Sequence, residues 1–415
     1  MNTQQKGSQI FEITLENPAY GGDTIGRLPD GRAVFVPFGI PGEKVKIRIV
    51  ADKKKYARGE LVEILEPSPS RIQPPCQHFG DCGGCHYQHI SYDQQLEIKH
   101  KILRDQLERI GGLDNPLIEP VFPSPDVFNY RNYVQFKISQ GNKPGFYRRD
   151  KKGILEIQEC HLPEETINQL WPLLEIDPET GVTSLGLRLG EGEDILMTLE
   201  SSQPFDGDFN VESLPVSVVH LSPDGSQVLA GSPFIILQVN DKTFQVSAGS
   251  FFQINIPLAK RIIEQIEDRI PDNVPLALEL YSGVGLFSAF LASRVERLIA
   301  IEASEIAGED FVINLDQFEN VELYQGSVEK ILPLLDISPE FVLVDPPRSG
   351  IKKKILERIV AMKPNLLIYV SCDPATLARD ARILSDGGYL AEKFVPFDFF
   401  SQTYHIETVS FWGRK

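Results

Sequence analysis

Positive charge is in short supply in this 415-residue chain: 41 Lys and Arg stand against 58 Asp and Glu, a net charge of -17. Taken as a sum, that balance argues against a nucleic-acid partner. No apolar run approaches the length that spans a bilayer, which excludes a helical membrane protein. Behind Lys6 there is no apolar signal core, so nothing marks the chain for export and a cytoplasmic location is expected. Cysteine is scarce as well, at five residues. In a cytoplasmic chain these read as metal ligands or catalysts rather than disulfides. Internal repeats and low-complexity tracts are missing. What remains is 42% hydrophobic and 24% charged, a globular composition in a chain too long for one core. Two or three domains are expected.

The distribution of charge says more than its sum. Residues 175–225 carry eleven acidic residues against Arg188 alone, which supplies over half of the net charge. Lys44 to Arg58 holds seven Lys and Arg against Asp52, and Arg131 to Lys152 holds seven against Asp150. Salt screens charges beyond ~8–10 Å, so a local basic strip on an acidic protein still attracts phosphate. Either strip alone reads as a solvated face. Two strips interleaved with Tyr56, Tyr133, Phe136, Phe146 and Tyr147 point to RNA or another nucleic acid.

Residues 10–66 alternate apolar and polar positions between Gly and Pro turns, as in Ala33 to Val36 and Val45 to Ile49, and predict a small β-barrel. Pro67, Pro69, Pro74 and Pro75 then signal a linker. Apolar positions at Leu96, Ile98, Ile102, Leu103, Leu107 and Ile110 predict a helix over 93–112, ended by Gly111 and Gly112. Residues 120–245 look strand-rich. From 246 onward strands alternate with helices, which implies a Rossmann-like α/β sheet with helices on both faces and a ligand site beyond the strand ends.

Three segments of that last part carry chemistry. Glu279 to Gly285 runs from a strand into a Gly-X-Gly turn, and Glu302 ends the next strand, placed to accept the ribose hydroxyls of an adenosine cofactor. Ser288 stands where a dinucleotide fingerprint needs its third glycine. A methionine-sulfonium cofactor, S-adenosylmethionine, therefore fits better than NAD. Asp345 opens a stiff Asp-Pro-Pro turn at a strand end, a feature shared with amino-group methyltransferases. Cys372 follows a buried strand and precedes a helix, whose N-terminus is expected to lower its thiol pKa. C5 of uracil is not nucleophilic until a thiolate adds to C6, and a base must later remove the C5 proton. Glu407, on an otherwise apolar C-terminal strand, can be that base. Singly, an inert buried cysteine and an exposed strand carboxylate explain these two residues; together they leave the constellation unexplained. Cys76, Cys82, Cys85 and the distant Cys160 suit zinc or an iron–sulfur cluster, and spacing alone does not choose. The spacing does differ from the Cys-x3-Cys-x2-Cys of radical enzymes.

Gly21-Gly22, Asp30 to Val36, Pro41 to Val45 and the Lys-rich 52–58 resemble the TRAM domain, an OB-like barrel that binds RNA. Ser250 to Asn255, Glu279 to Gly285, Ile301-Glu302, Asp345 to Gly350, Ser371 to Asp380 and His405 to Val409 resemble the RNA uracil-5 methyltransferase family over nearly the whole chain. Gly326-Ser327 and Tyr281-Ser282 depart from the pairs frequent there. The resemblance implies that Gln253, Tyr281, Glu302 and Asp345 bind S-adenosylmethionine, with Cys372 the nucleophile and Glu407 the base. It further implies that Cys76, Cys82, Cys85 and Cys160 hold a [4Fe–4S] cluster, structural in role. Three domains are expected: 1–66 (TRAM), 67–245 (mostly β, cluster-bearing, with the 93–112 helix packed back on the catalytic part) and 246–415 (class I methyltransferase). The resemblance implies that the substrate is a uridine in RNA, with 23S rRNA favoured over tRNA, and the protein is expected to be a monomer. An amino-group methyltransferase would not need Cys372, and a non-catalytic RNA-binding protein would not need the intact Cys372, Glu407 and glycine-turn set.

Overall fold

The computed structural model describes residues 9–205, 215–271 and 274–414, so part of the acidic stretch, residues 206–214, lies outside it. β1 (Ile10–Pro18), β2 (Asp23–Arg27), β3 (Ala33–Pro37), β4 (Lys44–Asp52) and β5 (Tyr56–Glu66) close a barrel in the order β1-β2-β3-β5-β4. Alternate residues such as Ile13, Leu15, Val34, Val36, Val45 and Ile47 fill its interior, as a period of two requires. The proline-rich connection that follows is anchored: Arg71 grips the buried Glu43 carboxylate with two hydrogen bonds of 2.6 and 2.7 Å.

The helix α1 (Tyr92–Arg109) ends before the two glycines, because Gly112 turns into the left-handed region at φ +64° and unwinds the last turn. Its Leu103 and Leu107 pack with Leu377 and Ala378 of the catalytic part, and Ile98 and Ile102 pack with Ile406. Lys99, fully buried, pairs with the equally buried Asp398. Removing one partner leaves an uncompensated charge, so Lys99→Met should cost ~3–5 kcal/mol, measured as a lower midpoint of chemical unfolding.

The central region is a seven-stranded sheet of β6 (Tyr133–Ile138), β7 (Pro144–Tyr147), β8 (Ile154–Glu156), β9 (Val182–Leu189), β10 (Ile195–Ser201), β11 (Val216–Ser222) and β12 (Gly225–Ala230). Its spatial order is β12-β11-β10-β9-β6-β7-β8. One face buries Phe136, Leu185, Leu187 and Met197 beneath α2 (Glu165–Leu170), which contributes Ile167. The hairpin β13 (Phe234–Val239) and β14 (Lys242–Ser247) begins before residue 246, and its Leu237, Val239, Phe244 and Val246 pack into the catalytic core.

The catalytic layer continues with α3 (Ile256–Glu267), β15 (Ala277–Leu280), α4 (Leu286–Leu291), β16 (Leu298–Glu302), α5 (Glu305–Asn314), β17 (Val321–Gln325), α6 (Val328–Ile331) and β18 (Phe341–Val344). It closes with α7 (Lys353–Met362), β19 (Leu366–Ser371), α8 (Pro374–Asp386), β20 (Tyr389–Phe397) and β21 (Glu407–Arg414). The strand order is β17-β16-β15-β18-β19-β21-β20. The first five strands are parallel, and β21 inserts antiparallel beside β19. The order in which successive strands are added reverses between β15 and β18, the switch point where such sheets open a crevice.

Candidate active site

Parallel register lines up the strand ends. Leu280 pairs with Ile301 on one side and Val344 on the other, so Tyr281, Glu302 and Asp345 follow at one level. Tyr281 adopts φ +65°, a strained value for a side-chain-bearing residue and a mark of functional turns. Gly285 must be glycine, since at φ +88° an added Cβ would lie 2.4 Å from Leu315. The Glu302 carboxylate accepts hydrogen bonds from the N–H groups of Gly283 (2.8 Å) and Ser304 (2.6 Å), which fixes it at the mouth of the turn. Gln253 sits on the loop before α3, where buried Asn132 donates to its carbonyl at 3.1 Å.

Because β21 lies antiparallel to β19, Ser371 pairs with Thr408, and Cys372 and Glu407 become neighbours across the strands. Asp345 and Arg348 complete the group, since both act electrostatically on Cys372 and Glu407. Burial pushes the Asp345 carboxyl up to about 7. Glu407, 5% exposed, is raised well above the usual carboxylate range by burial and then by Asp345, with Arg348 opposing.

The expected lowering of the Cys372 thiol pKa is reversed. Burial, then Glu407 and Asp345, push it up to about 12. The helix cannot compensate, because Asp373 caps α8 and its carboxylate takes the N–H groups of Ala375 and Thr376 (3.0 and 2.9 Å). Tyr20 of the barrel donates to the same carboxylate at 2.7 Å and so ties the barrel to the loop that carries Cys372. Nothing at Tyr20 in the sequence signals that contact.

Behind the glycine turn, burial holds Glu279 up at about 8, with one carboxyl oxygen lacking a partner among the described residues. Glu279, Asp345 and Glu407 all bind protons more tightly folded than unfolded, so between about pH 4 and 8 the folded state carries the extra protons. Stability is then greatest at the acid end of that window and falls as pH rises. Melting temperatures should decline from roughly pH 5 to 8, and Glu279→Gln should flatten the slope.

Cys76, Cys82, Cys85 and Cys160 line one cavity of about 140 Å3, with His78, Phe146 and Arg131 among its walls. Burial raises all four thiols, Cys85 to about 12 and Cys160 to about 11. Cys160 feels the charges of Cys82 and Cys76, and Cys85 those of Cys160 and Cys82. Ligand atoms of Cys76, Glu159 and His161 also lie within 4.8 Å of one another.

The two basic strips fare differently. On the barrel Lys46, Arg48 and Arg58 each meet an acid across the strands, whereas Lys53, Lys54 and Lys55 are exposed at the β4–β5 turn without an ion pair among the described residues. The second strip is not one surface. Arg131 turns inward to Tyr130 Oη at 3.1 Å, and Arg149 stacks over Phe38, 4.0 Å from its ring centre. No helix among the described residues is long and apolar enough to cross a membrane.

Comparison with known proteins places these features in a family. The TRAM domain profile matches residues 4–62, and the profile described as tRNA (uracil-5-)-methyltransferase matches residues 214–415. A protein of Halalkalibacterium halodurans named as an uncharacterized RNA methyltransferase is 32% identical, over 97% of this chain and 96% of its own. One of the same description from Aquifex aeolicus is 33% identical, over 96% and 97%. The crystal structure of Pyrococcus abyssi tRNA (uracil-54, C5)-methyltransferase in complex with S-adenosyl-L-homocysteine shares the fold, with a TM-score of 0.76 at 24% identity and coverage of 97% and 100%.

Proposed function

This chain belongs to the RNA uracil-5 methyltransferase family, and from that membership we propose that it methylates C5 of one uridine in 23S rRNA through a covalent cysteine adduct. The observation that carries the chemistry is the cross-strand pairing that sets Cys372 beside Glu407, with Asp345 acting on both. S-adenosylmethionine, when bound, supplies an electrophilic sulfonium methyl. Gln253, Tyr281, Glu302 and Asp345 would hold it at the crevice, with Glu302 the residue for the ribose hydroxyls.

A carboxylate of the Asp345–Glu407 group takes the Cys372 thiol proton and passes it to water, and Sγ adds to C6 of the uracil. C5 then carries the electron pair that accepts the methyl. Glu407 afterwards removes the C5 proton, the S–C6 bond breaks and the thiolate is released. With its thiol pushed up to about 12, Cys372 needs a base to take its proton as it adds to C6.

The four-cysteine cavity, with four thiol donors around about 140 Å3, suits a [4Fe–4S] cluster, and the resemblance favours the cluster over zinc. Cys76, Cys82, Cys85 and Cys160 would hold it and tie the 76–85 loop to the strands near 160. Anaerobically purified protein should be brown with about four irons per chain. Cys160→Ser should bleach it and weaken RNA binding while S-adenosylmethionine binding persists; one zinc and no iron would contradict the assignment. The barrel's exposed Lys53 to Lys55 suit an RNA backbone. The barrel and cluster together, as in the resemblance above, lean the substrate toward 23S rRNA, and the fold shared with a tRNA uracil-54 enzyme keeps tRNA as the second reading. Mapping 5-methyluridine in rRNA and tRNA from a deletion strain decides: loss from 23S rRNA supports the first, loss from tRNA alone the second.

A further inference from the structure

The face of the central sheet turned toward the catalytic layer is polar, and the methyltransfer chemistry leaves it unused. On it lie three cross-strand rows: Tyr133, Arg188 and Leu196; Gln135, Gly186 and Thr198; Lys137, Ser184 and Glu200. Together with the loop from Ser247 to Phe252, several of these line a cavity of about 290 Å3. Gly186 lets Thr198 and the Tyr133 hydroxyl close over the sheet beneath it, because a Cβ there would meet Thr198 Oγ1 at 2.2 Å and the Tyr133 hydroxyl at 3.0 Å.

Arg188 is the anomaly. It is 6% exposed, and its guanidinium lies over the Tyr133 ring, 4.5 Å from the centre. One amino group donates to the Ser250 carbonyl at 3.1 Å, while Nη1 has no partner among the described residues. A buried guanidinium with spare donors is costly unless something completes it. At the far side of the cavity Glu200 accepts from Gln135 Nε2 at 2.6 Å through Oε1. Tyr133, between them, feels both charges.

We propose that this cavity receives a second nucleobase of the RNA, a guanine extruded beside the target uridine. Guanine offers two acceptors on one edge, O6 and N7, which an arginine pairs with, and N–H donors at N1 and N2, which a carboxylate pairs with. Adenine lacks that arrangement, and the pyrimidines lack the N7 acceptor. Base extrusion into an aromatic-walled pocket is how enzymes read bases they do not modify as well as those they do. The loop that closes the cavity also carries Gln253, so a seated base would bear directly on the cofactor crevice. This inference rests on the RNA methyltransferase reading.

Saturation-transfer NMR on the full chain, with S-adenosylhomocysteine filling the cofactor site, tests it using the 5′-monophosphates of guanosine, adenosine, cytidine and uridine. Guanosine monophosphate should bind about tenfold or more tightly than the others. Arg188→Gln and Glu200→Gln should each weaken it about tenfold while leaving S-adenosylhomocysteine affinity within about twofold. Equal binding of all four nucleotides, indifference to both substitutions, or full displacement by inorganic phosphate would overturn the proposal. Nucleoside analysis of RNA treated with the same preparation separates the two levels. If 5-methyluridine forms without a guanine preference, the pocket assignment alone fails; if no RNA is methylated, the reading beneath it fails.

Discussion

Cys372→Ala should abolish methyl transfer, lowering the rate by at least about four orders of magnitude, while S-adenosylmethionine binds as in the unaltered protein. The expected size follows from what the thiol does. Without addition at C6 the uracil C5 has no electron pair to offer, and no neighbouring group replaces a nucleophile that must form and break a bond. The side chain sits past the end of β19, and its removal deletes one sulfur from a half-buried position, so the fold should survive. RNA carrying 5-fluorouridine at the target gives the sharpest readout, since fluorine at C5 cannot leave as a proton does. The unaltered protein should form a complex that survives a denaturing gel, and the alanine variant should form none. A stable adduct in the variant would place the nucleophile elsewhere.

Glu407→Gln is expected to fail at the opposite end of the reaction. The carboxyl is 5% exposed and held above the usual range by burial and by Asp345, which makes its carboxylate form a stronger base than an exposed one. An amide of the same shape keeps the packing but cannot accept the C5 proton. Turnover should fall by about two to four orders of magnitude, the range assigned to a positioned general base. Methylated RNA should remain attached through Cys372, so denaturation-resistant complexes should accumulate with ordinary RNA. Turnover near that of the unaltered protein would move the role to Asp345, whose carboxyl is pushed up to about 7, or to water.

Much of this architecture is legible in local sequence pattern. Alternation over 33–36 and 45–49 marks the barrel strands, and apolar runs such as 298–302 and 341–344 mark the parallel sheet. The grouping of Cys372 with Glu407 is different. They are thirty-five residues apart in sequence, and only the insertion of β21 against β19, which no periodicity announces, brings them together. The thiol's raised pKa was opaque for a related reason. A helix start suggests a lowered value, but burial and two converging carboxylates decide the sign, and both arise from long-range packing. The contact of Tyr20 with Asp373 and the cavity beneath Arg188 likewise join residues from separate layers. Arg188 reads in sequence as the lone cation of an acidic stretch, and only the sheet register reveals that it is buried against Tyr133.

The central claim is that the methyl group ends on C5 of a uridine. The direct measurement is mass spectrometry of nucleosides from RNA lacking the modification, after incubation with the full chain and S-adenosylmethionine labelled in its methyl group. The account predicts the label in 5-methyluridine alone, at one site, and none from the Cys372→Ala variant. Label on an exocyclic amine, or 5-methyluridine formed equally by that variant, would contradict it.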